Sequence, residues 1–163
     1  MKRKNTKQNG FICRFVREDK GTQLIELAII LPVMLMMMAA TAEFGRFFYT
    51  YTTLAKATRA GARYLATSAV KSTEDTRARN LIVYGDTTGE GNAVVSGLTE
   101  QNVRIVRTGG VPVLPETVTV EIDSYTYTPI FDLGKITGQK NLSLNIEVSP
   151  STTMRYLLTQ PPI

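Results

Sequence analysis

Glu26 is the residue whose type and position could do chemistry. It is an ionisable group at the edge of a long apolar run, and a charge placed there is costly enough to imply a role. It stands five residues after Gly21. A cut after Gly21 would make Thr22 the first residue of the chain and Glu26 the fifth. The new α-amino group of Thr22 would then be a cation at a helix N-terminus, repelled by the helix dipole. A carboxylate one turn along, on the same or a neighbouring subunit, would compensate it. Gly21 and Thr22 are the candidate cleavage residues on this reading, and Glu26 is the candidate assembly residue.

Other chemistry has little to stand on. The chain of 163 residues has no His and one Cys, Cys13. That excludes Ser-His-Asp and Cys-His nucleophiles, His-based zinc sites, an intrachain disulfide and a CxxC site. Gly89-Glu90-Gly91 is too short for a phosphate loop and lacks a following Lys-Ser/Thr. Asp123, Asp132 and Glu147 are scattered acids without the spacing of a carboxylate pair or a metal site. The expectation is a protein that is not an enzyme, with no cofactor, no metal and no small-molecule substrate.

The net charge of +5 is confined to one end. Residues 1–21 hold seven bases, Lys2, Arg3, Lys4, Lys7, Arg14, Arg17 and Lys20, against Glu18 and Asp19. Residues 22–163 balance, with 12 bases and 12 acids. A neutral main body gives no support to a nucleic-acid interface, and the tail reads as a basic cytoplasmic leader.

Leu27–Ala42 follows, 16 residues without a charge. As a helix it covers ~24 Å, and a full span wants about 20 residues. Thr22–Ile25 on one side and Phe44, Phe47 and Phe48 on the other supply the difference. The bases of the tail outnumber Arg46, Lys56 and Arg59 beyond the run, so the N-terminus is expected in the cytoplasm and the rest outside. Pro32 removes one helix hydrogen bond, which membrane helices tolerate. A buried core helix is the bland alternative, but the run has no polar face and follows a long basic tail. A second alternative is ordinary secretion, with Ala40-Thr41-Ala42 as an A-x-A cleavage site before Glu43. The charged region before the core would then be about 26 residues, long for a signal peptide, and Glu26 would go unexplained.

The helical pattern continues past Glu43. Phe44, Phe47, Phe48, Tyr51, Leu54, Ala55, Ala62 and Leu65 recur at three- and four-residue steps, one apolar stripe. Lys56, Arg59 and Arg63 form a separate basic face, either a solvated stripe or, for Arg59 and Arg63, a dock for acidic groups on a neighbour. Glu43 and Arg46 make an i,i+3 pair. The expected division is a leader over 1–21, a helix over 22–68 that spans the membrane in its first half, and a small β-rich outer domain over 69–163. Within that domain a short helix is expected over Glu74–Tyr84 with Thr73 as its cap, then a Gly-rich loop to Gly97. Strands are expected at Val103–Ile105, at Val118–Ile122 with a bend near Asp123-Ser124, and, most clearly, over Leu142, Leu144, Ile146 and Val148. Three strands suit an antiparallel sheet with one face on the helix. The fold class is α+β.

Lys20-Gly21-Thr22-Gln23-Leu24-Ile25-Glu26 resembles a prepilin peptidase site. Gly21–Leu35, Ala42-Glu43-Phe44-Gly45-Arg46 and Ala57–Tyr64 together resemble the TadE-like pseudopilins of the tight-adherence (Flp) pilus machinery. Tyr125-x-Tyr127-x-Pro129 and Met154-Arg155-Tyr156 resemble the family only in pattern. The resemblance implies a pilin-like subunit of the bacterial inner membrane, processed after Gly21 by a prepilin peptidase. It would work with other Tad/Flp pilins and inner-membrane assembly proteins. An uncleaved bitopic protein with a partner-binding outer domain, and a soluble protein cut after Ala42, are the alternatives.

Overall fold

The computed structural model describes residues 19–112 and 114–158. The basic tail up to Glu18, with Cys13, lies outside the described residues. The chain divides between Ala42 and Glu43 into two compact units.

Helix α1 runs Asp19–Ala66 and is helical through Pro32. Its 48 residues give a length of about 72 Å. Leu, Met and Ala dominate its first half, all strong helix formers. It stops two residues short of the expected end, because hydroxyls take over its last carbonyls. Thr67 Oγ1 and Ser68 Oγ both donate to the carbonyl of Tyr64, at 3.1 and 2.7 Å.

In the unit from Glu43 onward, α1 is followed by helix α2 (Ser72–Tyr84). Its N-cap is Lys71, which makes no side-chain cap, so the expected Thr73 cap is not formed. Glu74 and Asp75 in the first turn favour the helix dipole instead. Gly85, at φ 79°, ends the helix with its amide on the carbonyl of Leu81.

Three strands follow: β1 (Val103–Thr108), β2 (Thr117–Ile122) and β3 (Ser151–Arg155). They form an antiparallel sheet in the order β1-β2-β3, with Ile105 opposite Val120 and Val120 opposite Thr152. The short helix α3 (Leu133–Thr137) lies between β2 and β3 in sequence, and short 3₁₀ turns occur at Glu100–Asn102 and Lys140–Leu142. The architecture is α+β, a long apolar-led helix followed by a small antiparallel sheet domain, as the patterning indicates.

Two elements differ from the expectation. The segment Leu142–Val148 is not a strand. It starts in a 3₁₀ turn and joins its neighbours through one isolated bridge, Thr126 with Glu147. Its alternation misleads because the four apolar residues do not share a face: Val148 is buried and Leu144 packs on the core, while Leu142 and Ile146 are exposed. The third strand is Ser151–Arg155 instead, an edge strand whose Ser and Thr residues give no apolar alternation. The bend after β2 is where the sequence puts it: Ser124 adopts φ 56° and Asn102 Nδ2 donates to the carbonyls of Asp123 and Ser124 at 3.1 and 3.2 Å.

The core packs β2 residues Val118, Val120 and Ile122 with α1 residues Leu54, Ala62 and Leu65 and α2 residues Ala78, Ile82 and Val83. The apolar stripe of α1 is rotated from the expected one. Phe44, Phe48 and Tyr51 are exposed, while Glu43 and Thr58 are buried. Thr58 belongs on that face because its hydroxyl lies 3.2 Å from that of Thr152 on β3. Gly61 is also on it. A Cβ there would fall 2.4 Å from Ile82 Cδ1, so glycine is what lets α1 and α2 cross this closely.

Candidate functional site

Gly21, Thr22 and Glu26 all lie in α1, and Thr22 and Glu26 are exposed. The helix begins at Asp19, upstream of the candidate cut, so the Gly21–Thr22 peptide is in a helical turn. Thr22 and Glu26, four apart, share one helix face a turn from each other. Among the described residues Glu26 has no ion-pair partner. The large apolar side chains from Leu24 to Met38 are exposed on every side of the helix. Among the described residues this is the one helix long and apolar enough to cross a membrane, and none of its most apolar window is buried. A helix apolar all round with nothing packed on it has lipid or other helices as its natural surroundings.

Arg59 and Arg63 are exposed further along α1. With Lys56, Ala60, Tyr64 and Met154 they line an open groove of about 630 Å³. Among the described residues none of the three bases is in an ion pair. The interleaving of Arg59, Gly61, Ala62 and Arg63 now has a local cause. Gly61 and Ala62 face inward at the crossing with α2, which leaves the two arginines outward.

A third constellation went unread in the sequence. Glu43, one residue past the apolar run, is 1% exposed. Its carboxylate accepts from the Tyr127 hydroxyl at 2.6 Å and from the amides of Ile130 and Phe131 at 3.2 Å each. Arg46 Nη1 is also 3.2 Å away, the expected i,i+3 pair. An ionised carboxylate only accepts hydrogen bonds, and here four donors converge on it. Buried charge survives only under such terms. The Tyr127 ring packs edge-on against Phe47 with centroids 5.4 Å apart. Burial, and then the bond to Glu43, push the Tyr127 hydroxyl up to about 12. Tyr125, two residues before, donates to the carbonyl of Ser96 at 3.1 Å. The signals that could have found this clasp were in hand: an acid directly after an apolar run, and a Tyr-x-Tyr-x-Pro element.

These groups hold helices and loops together. Among the described residues no group of three or more Cys, Asp or Glu could hold a metal ion.

Residues 21–63 match the family model of TadE-like proteins. The match lies wholly within α1, from the candidate cleavage glycine to the second arginine of the basic face. No match was found among curated proteins or among solved structures.

Proposed function

We propose that this protein is a minor pilin-like subunit that assists assembly of a Flp-type pilus used in adherence or secretion. One observation carries the reading: the TadE-like stretch opens with a helical segment, Leu24 to Met38, that is apolar and uncovered on all sides, with Thr22 and Glu26 on one face at its start. In this account residues 1–21 are a leader on the cytoplasmic side of the inner membrane. A prepilin peptidase removes it after Gly21, and the domain that follows α1 is extracytoplasmic. The bilayer holds the first half of α1 until neighbouring pilins replace the lipid. Glu26 then neutralises the Thr22 amine of a neighbour, which relieves two unpaired charges in an apolar medium at once. Arg59 and Arg63 dock to acidic groups of an adjacent subunit. The role is structural and requires no cofactor.

Because α1 begins at Asp19, the Gly21–Thr22 bond must leave its helical turn to be cut, and glycine lowers the cost of that unwinding. Gly21→Leu is expected to block processing, while Glu26→Ala is expected to be processed and then to fail in assembly. A Glu26→Ala protein that builds normal pili contradicts the proposed role.

One observation favours a second reading. The compact unit begins at Glu43, the residue that would follow an ordinary signal-peptidase cut after Ala42. A soluble exported domain starting at Glu43 is the outcome to be distinguished.

A further inference from the structure

The clasp at Glu43 has a geometric consequence for the segment it holds. The amides of Ile130 and Phe131 lie 3.2 Å from the Glu43 carboxylate, and Glu43 is covalently next to Ala42, the last residue of the apolar run. The segment is thus anchored at the residue where the charge-free run ends in sequence. Between Phe131 and Ser143 no side chain joins the core cluster, which the chain meets again at Leu144 and Val148. Asp132 caps α3 by accepting from the amide of Gly134 at 2.9 Å, and the turn Lys140–Leu142 follows. The loop is closed tightly on itself: a Cβ on Gly134 would meet the Cβ of Ser143 at 2.8 Å.

This folded segment presents apolar side chains outward. Ile130 is 67% exposed and Ile136 61%, with Phe131 and Leu142 close to half exposed. On α1 beside Glu43, Phe44 and Phe48 are exposed as well. Lys135 and Lys140 are exposed between them. Asp132, the acid of this loop, spends an oxygen on its cap. Large apolar side chains gathered at one place on a domain surface mark a contact site. Apolar residues with interspersed lysines are the composition of segments that lie in a membrane interface, where the lysine heads reach phosphates.

We infer that Ile130–Leu142 is a second, peripheral membrane contact, seated in the headgroup and upper acyl region around the exit of α1. The occupant is lipid because the segment is bonded to Glu43, the residue that follows the apolar run in sequence, and carries lysines among its exposed apolar side chains. The inference rests on the reading of that run as a membrane span. The contact would fix the height of the outer domain above the bilayer, as a collar at the helix exit.

The test uses the full chain with Cys13→Ser, reconstituted in vesicles of phosphatidylcholine and phosphatidylglycerol. Single cysteines carry a polarity-sensitive fluorophore at three places: Met36→Cys in the apolar run, Ile136→Cys in the collar and Leu157→Cys as a control. Leu157 is equally exposed at 65%, but its amide bonds to Ala66 at the far end of α1. That places it about 35 Å along the helix from Glu43. At Ile136 the expected result is blue-shifted emission, quenching by lipids brominated high on the acyl chain, and several-fold weaker iodide quenching than at Leu157. Iodide quenching equal to that at Leu157 overturns the inference. Protection from both quenchers also overturns it and assigns the face to a protein. Iodide access at Met36 is a separate failure, that of the span itself, and the collar falls with it.

Discussion

Glu43 and Tyr127 are 84 residues apart and share a 2.6 Å hydrogen bond, which ties the first turn of the domain's share of α1 to the segment after β2. The bond is buried, and its acceptor also holds the amides of Ile130 and Phe131. A single carboxylate thereby sets the position of a loop that the sheet does not reach. Sequence places this acid at the edge of the apolar run, folding buries it, and burial makes its partners obligatory.

Loss of the carboxylate should be costly. Glu43→Ala leaves one buried hydroxyl and two part-buried amides without their acceptor. At about 1–3 kcal/mol for each unsatisfied group, the variant should lose at least ~3 kcal/mol. Tyr127→Phe removes one bond to a charged group and should lose about 1.5–3 kcal/mol. Denaturant unfolding of the detergent-solubilised chain, followed by tyrosine fluorescence, measures both. Equal small losses of a few tenths would show that the clasp does not hold the domain.

The same pair predicts an alkaline limb. The Tyr127 hydroxyl is raised from 10.0 to about 12 in the folded chain. A folded value above the unfolded one means that stability is full below pH 10 and falls as pH rises toward about 12. Tyr64, Tyr125 and Tyr156 are also raised, so the comparison must be with Tyr127→Phe. The stability gap between the native chain and Tyr127→Phe should narrow across that window. A gap independent of pH there would contradict the burial of the hydroxyl bond.

Gly61 should tolerate no larger side chain. Leucine for glycine in a helix gains up to about 1 kcal/mol of propensity. Forcing it against the fully buried Ile82 costs ~1–3 kcal/mol, occasionally more, in overpacking. Gly61→Leu should be less stable than the native chain, and Gly61→Leu combined with Ile82→Ala should recover part of the loss. A destabilised double variant without any recovery would place the close approach elsewhere.

The basic groove separates packing from docking. Arg59 and Arg63 are exposed and outside ion pairs among the described residues, so Arg59→Gln with Arg63→Gln should shift stability by less than about 0.5 kcal/mol. Cross-linking to neighbouring subunits should nevertheless fall. A large stability loss would make the arginines part of the fold.

Much of this was legible because it rests on local pattern. The charge-free run, the helix after Glu43 and the alternation of Val118, Val120 and Ile122 each follow from one periodicity. So does the bend at Ser124, where the parity of the apolar residues breaks. The third strand was not legible because Ser151–Arg155 is an edge whose partner, β2, supplies the burial. The tempting run Leu142–Val148 lost its place because β2 is already paired on both sides, by β1 and β3. The Glu43 clasp was hidden for a different reason. A helix face is read by its apolar residues, and this one begins with an acid whose partners lie 84 to 88 residues away. Of the candidate site, the types and order of Gly21, Thr22 and Glu26 were plain. The helical setting of the Gly21–Thr22 bond was not, because glycine is a poor helix former and reads as a break before the apolar run.

The central claim is that the working protein begins at Thr22 in the membrane. The intact mass of protein extracted from the membranes of its own host tests it most directly. The account predicts a chain starting at Thr22, whether or not its amine carries a methyl group. A mass beginning at Met1, or a soluble product beginning at Glu43, would contradict it.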